Sequence, residues 1–365
     1  MATPLIHLRD IQKRMRVFTV WEKKRNSKQV HWLPELFAEA LGVFLYVYFG
    51  TSSAAGWVVG NIIKMPGLSN ILQIGLAYAL GILFAISVCA STSGGHFNPC
   101  VTIALVVFKG FPPLKAVRYI AAQLLGAYIA CLLVYNQWKA ILDEAEAVLM
   151  AAGPEVYNAT LFTPNGPAGI FALYLLPGQT LPQVFLNEFV NCFVLALIIW
   201  AALDPSSYLM SPMVAPWVIS LAYACAIWGF ATPGISLNAA RDVGARFLAL
   251  TVWGTKAGGG SYAAITALTN IPATLLAVVV YEVFLVDSDR VVTPAHLEFM
   301  NLNANHRRAR RKANGEKRNS RVQSLVDLGE HQRSSSSQAE DKDKPMTTTF
   351  EYAPNNGAID VTSRV

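Results

Sequence analysis

Between residues 34 and 286 the chain carries so little charge that six stretches of about 20 mainly apolar residues follow one another, at 34–58, 70–90, 114–135, 182–203, 214–232 and 262–286. A run of that length and composition is long enough to cross a bilayer as a helix. Soluble domains usually carry about 25% charged residues. Here the share is 14%, against 53% hydrophobic residues and a mean hydropathy of +0.38. The chain therefore reads as an all-α membrane protein with six transmembrane helices.

The net charge of +6 belongs to the ends of the chain. Residues 1–32 read as a basic tail, 33–286 as the membrane domain and 287–365 as a disordered tail. Lys and Arg number eight in residues 1–31 and nine in residues 290–321, and six spans put both ends on one side. The positive-inside rule makes that side cytoplasmic. The connection at 136–181 then lies outside, where Asp143, Glu144, Glu146 and Glu155 outnumber Lys139. The basic run around Arg307, Arg308, Arg310 and Arg311 lies in low-complexity sequence without aromatic platforms, so nucleic acid is not an expected partner. No cleavable signal is read at the charged N-terminus, and the first span is expected to direct insertion. The five cysteines (Cys89, Cys100, Cys131, Cys192, Cys225) show no metal-ligand spacing. No metal or cofactor is expected.

Two further apolar stretches, 98–108 and 238–250, are too short to cross. Broken helices are tolerated at membrane depth only where they are buried in protein or line a watery cavity. Each short stretch follows a span-span pair and begins with Asn, and each pair opens with a lone carboxylate, Glu39 or Glu188. The halves, 33–135 and 182–286, hold an odd number of spans each. The second must therefore be inverted relative to the first, as in transport proteins. The two half-helices then enter from opposite faces and meet near the midplane.

The chemistry of that meeting follows from residue type. An Asn N-cap accepts a backbone N–H of its own helix through its side-chain oxygen, which leaves the amide NH2 of Asn98 and Asn238 as donors for a passing oxygen. Pro99 suits the first helical position. The positive ends of two half-helix dipoles make a barrier to cations, hydronium included. Arg241, three residues after Asn238, lies on the same helical face and brings a permanent, planar set of donors.

The segment Ser93-Gly94-Gly95-His96-Phe97-Asn98-Pro99-Cys100-Val101-Thr102 resembles the first signature of the aquaporin and aquaglyceroporin family. The segment Gly234-Ile235-Ser236-Leu237-Asn238-Ala239-Ala240-Arg241-Asp242 resembles the second. With Ala38-Glu39 and Asn187-Glu188-Phe189 opening the first and fourth spans, the resemblance covers residues 34–286. It implies an aquaporin-like inverted repeat in a homotetramer, passing water and small uncharged solutes without catalysis. The long low-complexity tails suggest a fungal member.

The resemblance also implies residue roles. Asn98, Pro99, Cys100, Asn238, Ala239 and Ala240 stand at the pore Asn motifs, and Tyr78, Ala226 (or its neighbour Cys225), Ile235 and Arg241 at the selectivity filter. Glu39 and Glu188 would hold the re-entrant loops, as buried carboxylates need donors. His96 reads either as a vestibule residue responsive to pH or as a satisfied buried histidine. The fifth span lacks His, which implies a wider filter, and Asp242 with Arg246 is similar to the glycerol-conducting branch. Three residues depart from the pattern: Ala239 replaces a proline, Cys100 replaces a small alanine and offers a thiol to mercurials, and Ile235 replaces a filter aromatic.

The expected function is a passive channel for water and glycerol-like solutes. One alternative is a channel for water, peroxide or ammonia that excludes glycerol. Another is an ion-coupled transporter, which lacks an ion-ligating pair here. An enzyme is not expected, since Cys100 and His96 have no third group to orient them. The expected setting is the plasma membrane. Asn158-Ala159-Thr160 is a possible glycosylation acceptor, and Ser320 and Ser324, near Arg318 and Arg321, are possible phosphorylation sites.

Overall fold

The computed structural model describes residues 8–27, 30–232 and 234–302. Among these, the helices include α1 (Leu8–Ile11), α2 (Arg16–Arg25), α3 (Trp32–Ile62), α4 (Ile71–Ser93), α5 (Pro99–Lys109), α6 (Pro113–Ala151), α7 (Pro154–Leu161), α8 (Leu181–Leu203), α9 (Ala215–Phe230), α10 (Ala239–Trp253), α11 (Gly260–Leu268) and α12 (Asn270–Phe284), and residues 294–302 are also helical. A 3-10 turn occupies Pro167–Ile170. No strand occurs among the described residues. Both predicted half-helices form, as α5 and α10, and each of the six apolar stretches is helical.

The spans α3, α4 and α6 with half-helix α5 make one repeat; α8, α9 and α11–α12 with α10 make the other. α3 packs on α4 and α6, while α8 packs on α9 and α12. The half-helices cross-link the repeats, because α5 packs on α12 and α10 packs on α6. Among the described residues, five helices are long and apolar enough to span a membrane, α11–α12 counting as one. α9, with 16 residues, is shorter. The outward faces carry large apolar side chains such as Phe37, Leu80, Val88, Leu186 and Val194, which is what a helix bundle in lipid requires.

Ion pairs show which helix ends share a face. Lys115 at the start of α6 pairs with Glu35 at the start of α3 at 2.9 Å, and Lys109 at the end of α5 pairs with Glu282 near the end of α12 at 3.0 Å. The start of the first span and the end of the last thus lie on the face that holds Lys109 and Lys115. At the opposite end, Glu146 accepts from Trp253 Nε1 at the end of α10 and from Tyr157 of α7.

Two differences from the sequence expectation have local causes. The connection expected at 136–181 is largely helical, because α6 runs to Ala151 and α7 follows. In that extension Leu142, Ala145 and Leu149 are buried, a spacing of three and four that makes one helical stripe. At 39 residues α6 is about 58 Å long, well beyond the roughly 30 Å hydrocarbon core. Hydropathy marks where lipid ends, whereas this helix continues on its own apolar stripe. The sixth span carries an irregular turn at Thr269, where the backbone stays helical at φ −61° and ψ −33°. Pro272 has no N–H to give Leu268 O, four residues back, so the span loses one helical hydrogen bond there without ending.

Candidate functional site

The two half-helices begin as their sequences require. Asn98 caps α5, its Oδ1 accepting from Cys100 N at 2.9 Å, and Pro99 takes the first turn. Asn238 caps α10, its Oδ1 accepting from Ala240 N at 2.9 Å and Arg241 N at 3.4 Å. Ala239 enters the helix without the preset φ of a proline. Phe97 and Leu237 are the residues that sequence reasoning passed over. Both stand in the left-handed region, at φ 48° and 59°, immediately before the two asparagines. For bulky side chains this conformation costs about 1–3 kcal/mol each and persists only where surroundings impose it.

The buried carboxylates impose it. Glu39 accepts from His96 N at 3.0 Å and Phe97 N at 2.8 Å. Glu188 accepts from Ser236 N at 2.7 Å and Leu237 N at 2.9 Å. Each carboxylate therefore takes two consecutive backbone N–H groups of one loop, which turns the following carbonyl inward. Those carbonyls meet the opposite asparagines: Asn98 Nδ2 donates to Leu237 O at 3.1 Å, and Asn238 Nδ2 donates to Phe97 O at 2.8 Å. Gln123 of α6 adds a bond to Glu39 at 2.7 Å, and Cys192 Sγ one to Glu188 at 3.3 Å. The loops are tied to each other and to their own repeats.

The amides are less free than the capping argument alone predicts. Asn238 donates a second hydrogen bond, to the Tyr46 hydroxyl at 2.7 Å. Both of its amide hydrogens are thereby engaged with protein. Tyr223 of α9 lies beside both asparagines.

Arg241 is 7% exposed and its guanidinium is fixed from two sides. Nε and Nη2 donate to the Tyr78 hydroxyl at 3.0 and 2.9 Å, and Nη1 donates to Phe171 O at 2.7 Å. Gly50 of α3 makes room for this ring, since a Cβ there would stand 2.3 Å from Tyr78. The next residue of α10, Asp242, pairs with Arg246 Nη2 one turn on at 2.8 Å and accepts from Leu173 N at 3.1 Å and Thr266 Oγ1 at 2.7 Å. Arg246 returns a bond to Leu173 O at 2.9 Å. The segment 171–173 of the long connection is thus bound on one side to Arg241 and on the other to the Asp242–Arg246 pair. Nothing in the local sequence of that connection announces this contact.

The remaining sequence candidates fall as follows. Ala226 and Ile235 are buried in the same apolar core cluster as Tyr78, whereas Cys225 of α9 is exposed. Cys100 is 1% exposed, with its backbone bound into the Asn98 cap. His96 is buried; its Nδ1 stands 3.1 Å from Thr102 Oγ1, and its ring packs on Phe111 and Tyr119. Asn158 is exposed, within helix α7 rather than a loop. Ser320 and Ser324 lie outside the described residues.

The major intrinsic protein family profile matches residues 26–257. Aquaporin-3 of Laccaria bicolor is 70% identical over 313 residues, covering 86% of this chain and 94% of that protein. Aquaglyceroporin-2 of Rhizophagus irregularis is 37% identical over 214 residues, covering 58% of this chain and 63% of that one. Among solved structures, the aquaglyceroporin from Plasmodium falciparum superposes with a TM-score of 0.58 at 23% identity, covering 69% of this chain and 96% of that one. At that identity the likeness is one of fold.

Proposed function

The chain belongs to the major intrinsic protein family, a family of passive membrane channels and not of enzymes, and from that premise we propose that it conducts water and glycerol-like uncharged solutes. The observation that carries this reading is the pair of Asn-capped half-helices whose loops Glu39 and Glu188 hold in the same geometry, related by a pseudo-two-fold. In this reading Asn98-Pro99-Cys100 and Asn238-Ala239-Ala240 form the midplane stations, where two positive dipole ends exclude cations. Tyr78, Ala226, Ile235 and Arg241 form the filter. Arg241 has five N–H donors; with three bound to Tyr78 and Phe171, two are left for solute oxygens. Glu39, Glu188, His96 and Asp242 support the loops.

The small Ala226 supports passage of a polyol, because it leaves the fifth-helix side of the filter unobstructed. The Arg241–Tyr78 bond supports the narrower reading, in which water, peroxide or ammonia pass and glycerol does not, because it keeps an aromatic ring against the filter. In the cell we place both termini in the cytoplasm, on the face of Lys109 and Lys115, in the plasma membrane, with four protomers each holding a pore.

Stopped-flow measurements on vesicles holding the purified protein test this, with separate water and glycerol gradients and recorded current. Both fluxes should exceed those of protein-free vesicles, with no current. Water flux alone would favour the narrower reading, and accumulation of solute against its gradient would exclude a channel.

A further inference from the structure

Tyr46 is assigned no part by the channel reading, yet it makes the shortest hydrogen bond of the Asn238 amide. We propose that Tyr46 is a specificity-determining residue whose hydroxyl occupies the place a permeating oxygen takes on Asn238, so that each solute must displace it. The proposal rests on the channel reading.

The geometry carries it in three steps. An Asn amide has two N–H donors. Asn238 gives one to Phe97 O at 2.8 Å and one to the Tyr46 hydroxyl at 2.7 Å, while that hydroxyl in turn donates to Phe97 O at 3.4 Å. The three groups close a ring of hydrogen bonds in which the long contact is the weakest member. Second, the backbone that carries Tyr46 is fixed, so only its side chain can give way. Tyr46 is 3% exposed, and a Cβ added at Gly81 of α4 would stand 2.5 Å from its Cα, so the two helix backbones touch at that level.

Third, the hydroxyl belongs to one repeat only. Tyr46 lies seven residues after Glu39, and the residue seven after Glu188 is Leu195, which is buried and has no hydrogen-bonding side chain. The pseudo-equivalent Asn98 has a direct bond to Leu237 O, and the hydroxyl beside it is that of Tyr223 of α9, which lies beside both asparagines. The loop ties are common to both repeats, whereas this contact is not. It is therefore separable from what holds the two halves together.

The chemistry sets what is selected. A water molecule or alcohol both accepts from Asn238 and donates to Phe97 O, so it replaces the tyrosine hydroxyl bond for bond. A small neutral molecule without an acceptor leaves Asn238 unpaired when it pushes the hydroxyl aside, and a buried unpaired donor is costly. Tyr46 thereby slows all permeation and favours hydroxyl-bearing solutes.

The test compares the full-length protein with Tyr46→Phe and Tyr46→Leu in vesicles, at equal protein content and with chromatographic size checked for each. Tyr46→Phe keeps the ring, deletes the hydroxyl and should raise water permeability about two- to tenfold, the range of one exchanged hydrogen bond. Conduction by Tyr46→Phe where the wild type is silent supports the proposal equally. Unchanged or lower flux in Tyr46→Phe overturns it while the channel reading stands, as does a rise confined to Tyr46→Leu, which assigns the effect to ring bulk. Should Tyr46→Phe fail to assemble, Tyr46→Leu, which copies Leu195, carries the test through selectivity: a larger rise for a small neutral solute without a hydrogen-bond acceptor than for water supports the proposal, and an equal rise or none overturns it. Silence in all three proteins overturns both readings.

Discussion

The Tyr78 hydroxyl accepts two hydrogen bonds from one guanidinium, from Nε of Arg241 at 3.0 Å and from Nη2 at 2.9 Å. A hydroxyl offers two lone pairs as acceptors, and this arrangement fills them. It also fixes the arginine fork against rotation, because the third bond, from Nη1 to Phe171 O, comes from a different segment. In the proposed channel, this one pair would set filter shape and filter charge together.

Tyr78→Phe separates the two. The ring stays and the arginine loses its anchor, so glycerol flux relative to water should rise about two- to tenfold, the value of one or two net hydrogen bonds. Paired water and glycerol gradients on the same vesicles measure it. Arg241→Ala should widen acceptance further and admit larger polyols; unchanged selectivity in both variants would place the filter elsewhere.

Gly50→Ala tests the same pair from behind. A Cβ at this position would meet the Tyr78 ring at 2.3 Å, closer than real Cβ contacts allow, so the ring must move. The bond to Arg241 should break, and selectivity should shift in the direction of Tyr78→Phe with a lower melting temperature in detergent.

Glu39→Gln and Glu188→Gln replace a bidentate acceptor with a side chain that presents an NH2 to one of two backbone N–H groups. Hydrogen bonds to charged groups contribute about 1.5–3 kcal/mol each, and the strained residues Phe97 and Leu237 depend on them. Each variant should lose thermal stability by that order and lose flux. Loss of flux with unchanged melting would instead indicate a proton-relay role.

Asp242→Asn leaves Arg246, which is 6% exposed, without its charge partner. Breaking a buried pair by removing one partner costs about 3–5 kcal/mol. Asp242→Asn/Arg246→Met removes both charges and should recover part of that loss. A double-mutant cycle on thermal unfolding gives the coupling, and additivity of the two single variants would contradict the buried-pair account.

Sequence by itself determined the spans, the repeat, its inversion and the two asparagine stations. These follow from chain-local physics: hydropathy sets span length, an odd span count forces inversion, and Asn followed by Pro or Ala marks a helix start. Even Glu39 and Glu188 were legible, since a lone carboxylate in an apolar run must find donors. Tertiary structure alone decided which donors they find and how residues far apart in sequence meet. The left-handed turns at Phe97 and Leu237 carry no glycine signal, because the carboxylates that impose them lie 58 and 49 residues away. The tie of Phe171 and Leu173 to α10 spans 70 and 69 residues, and that of Tyr46 to Asn238 spans 192. Periodicity reports only which face of a helix is apolar. Which hydroxyl reaches which amide depends on the packing of two repeats against each other.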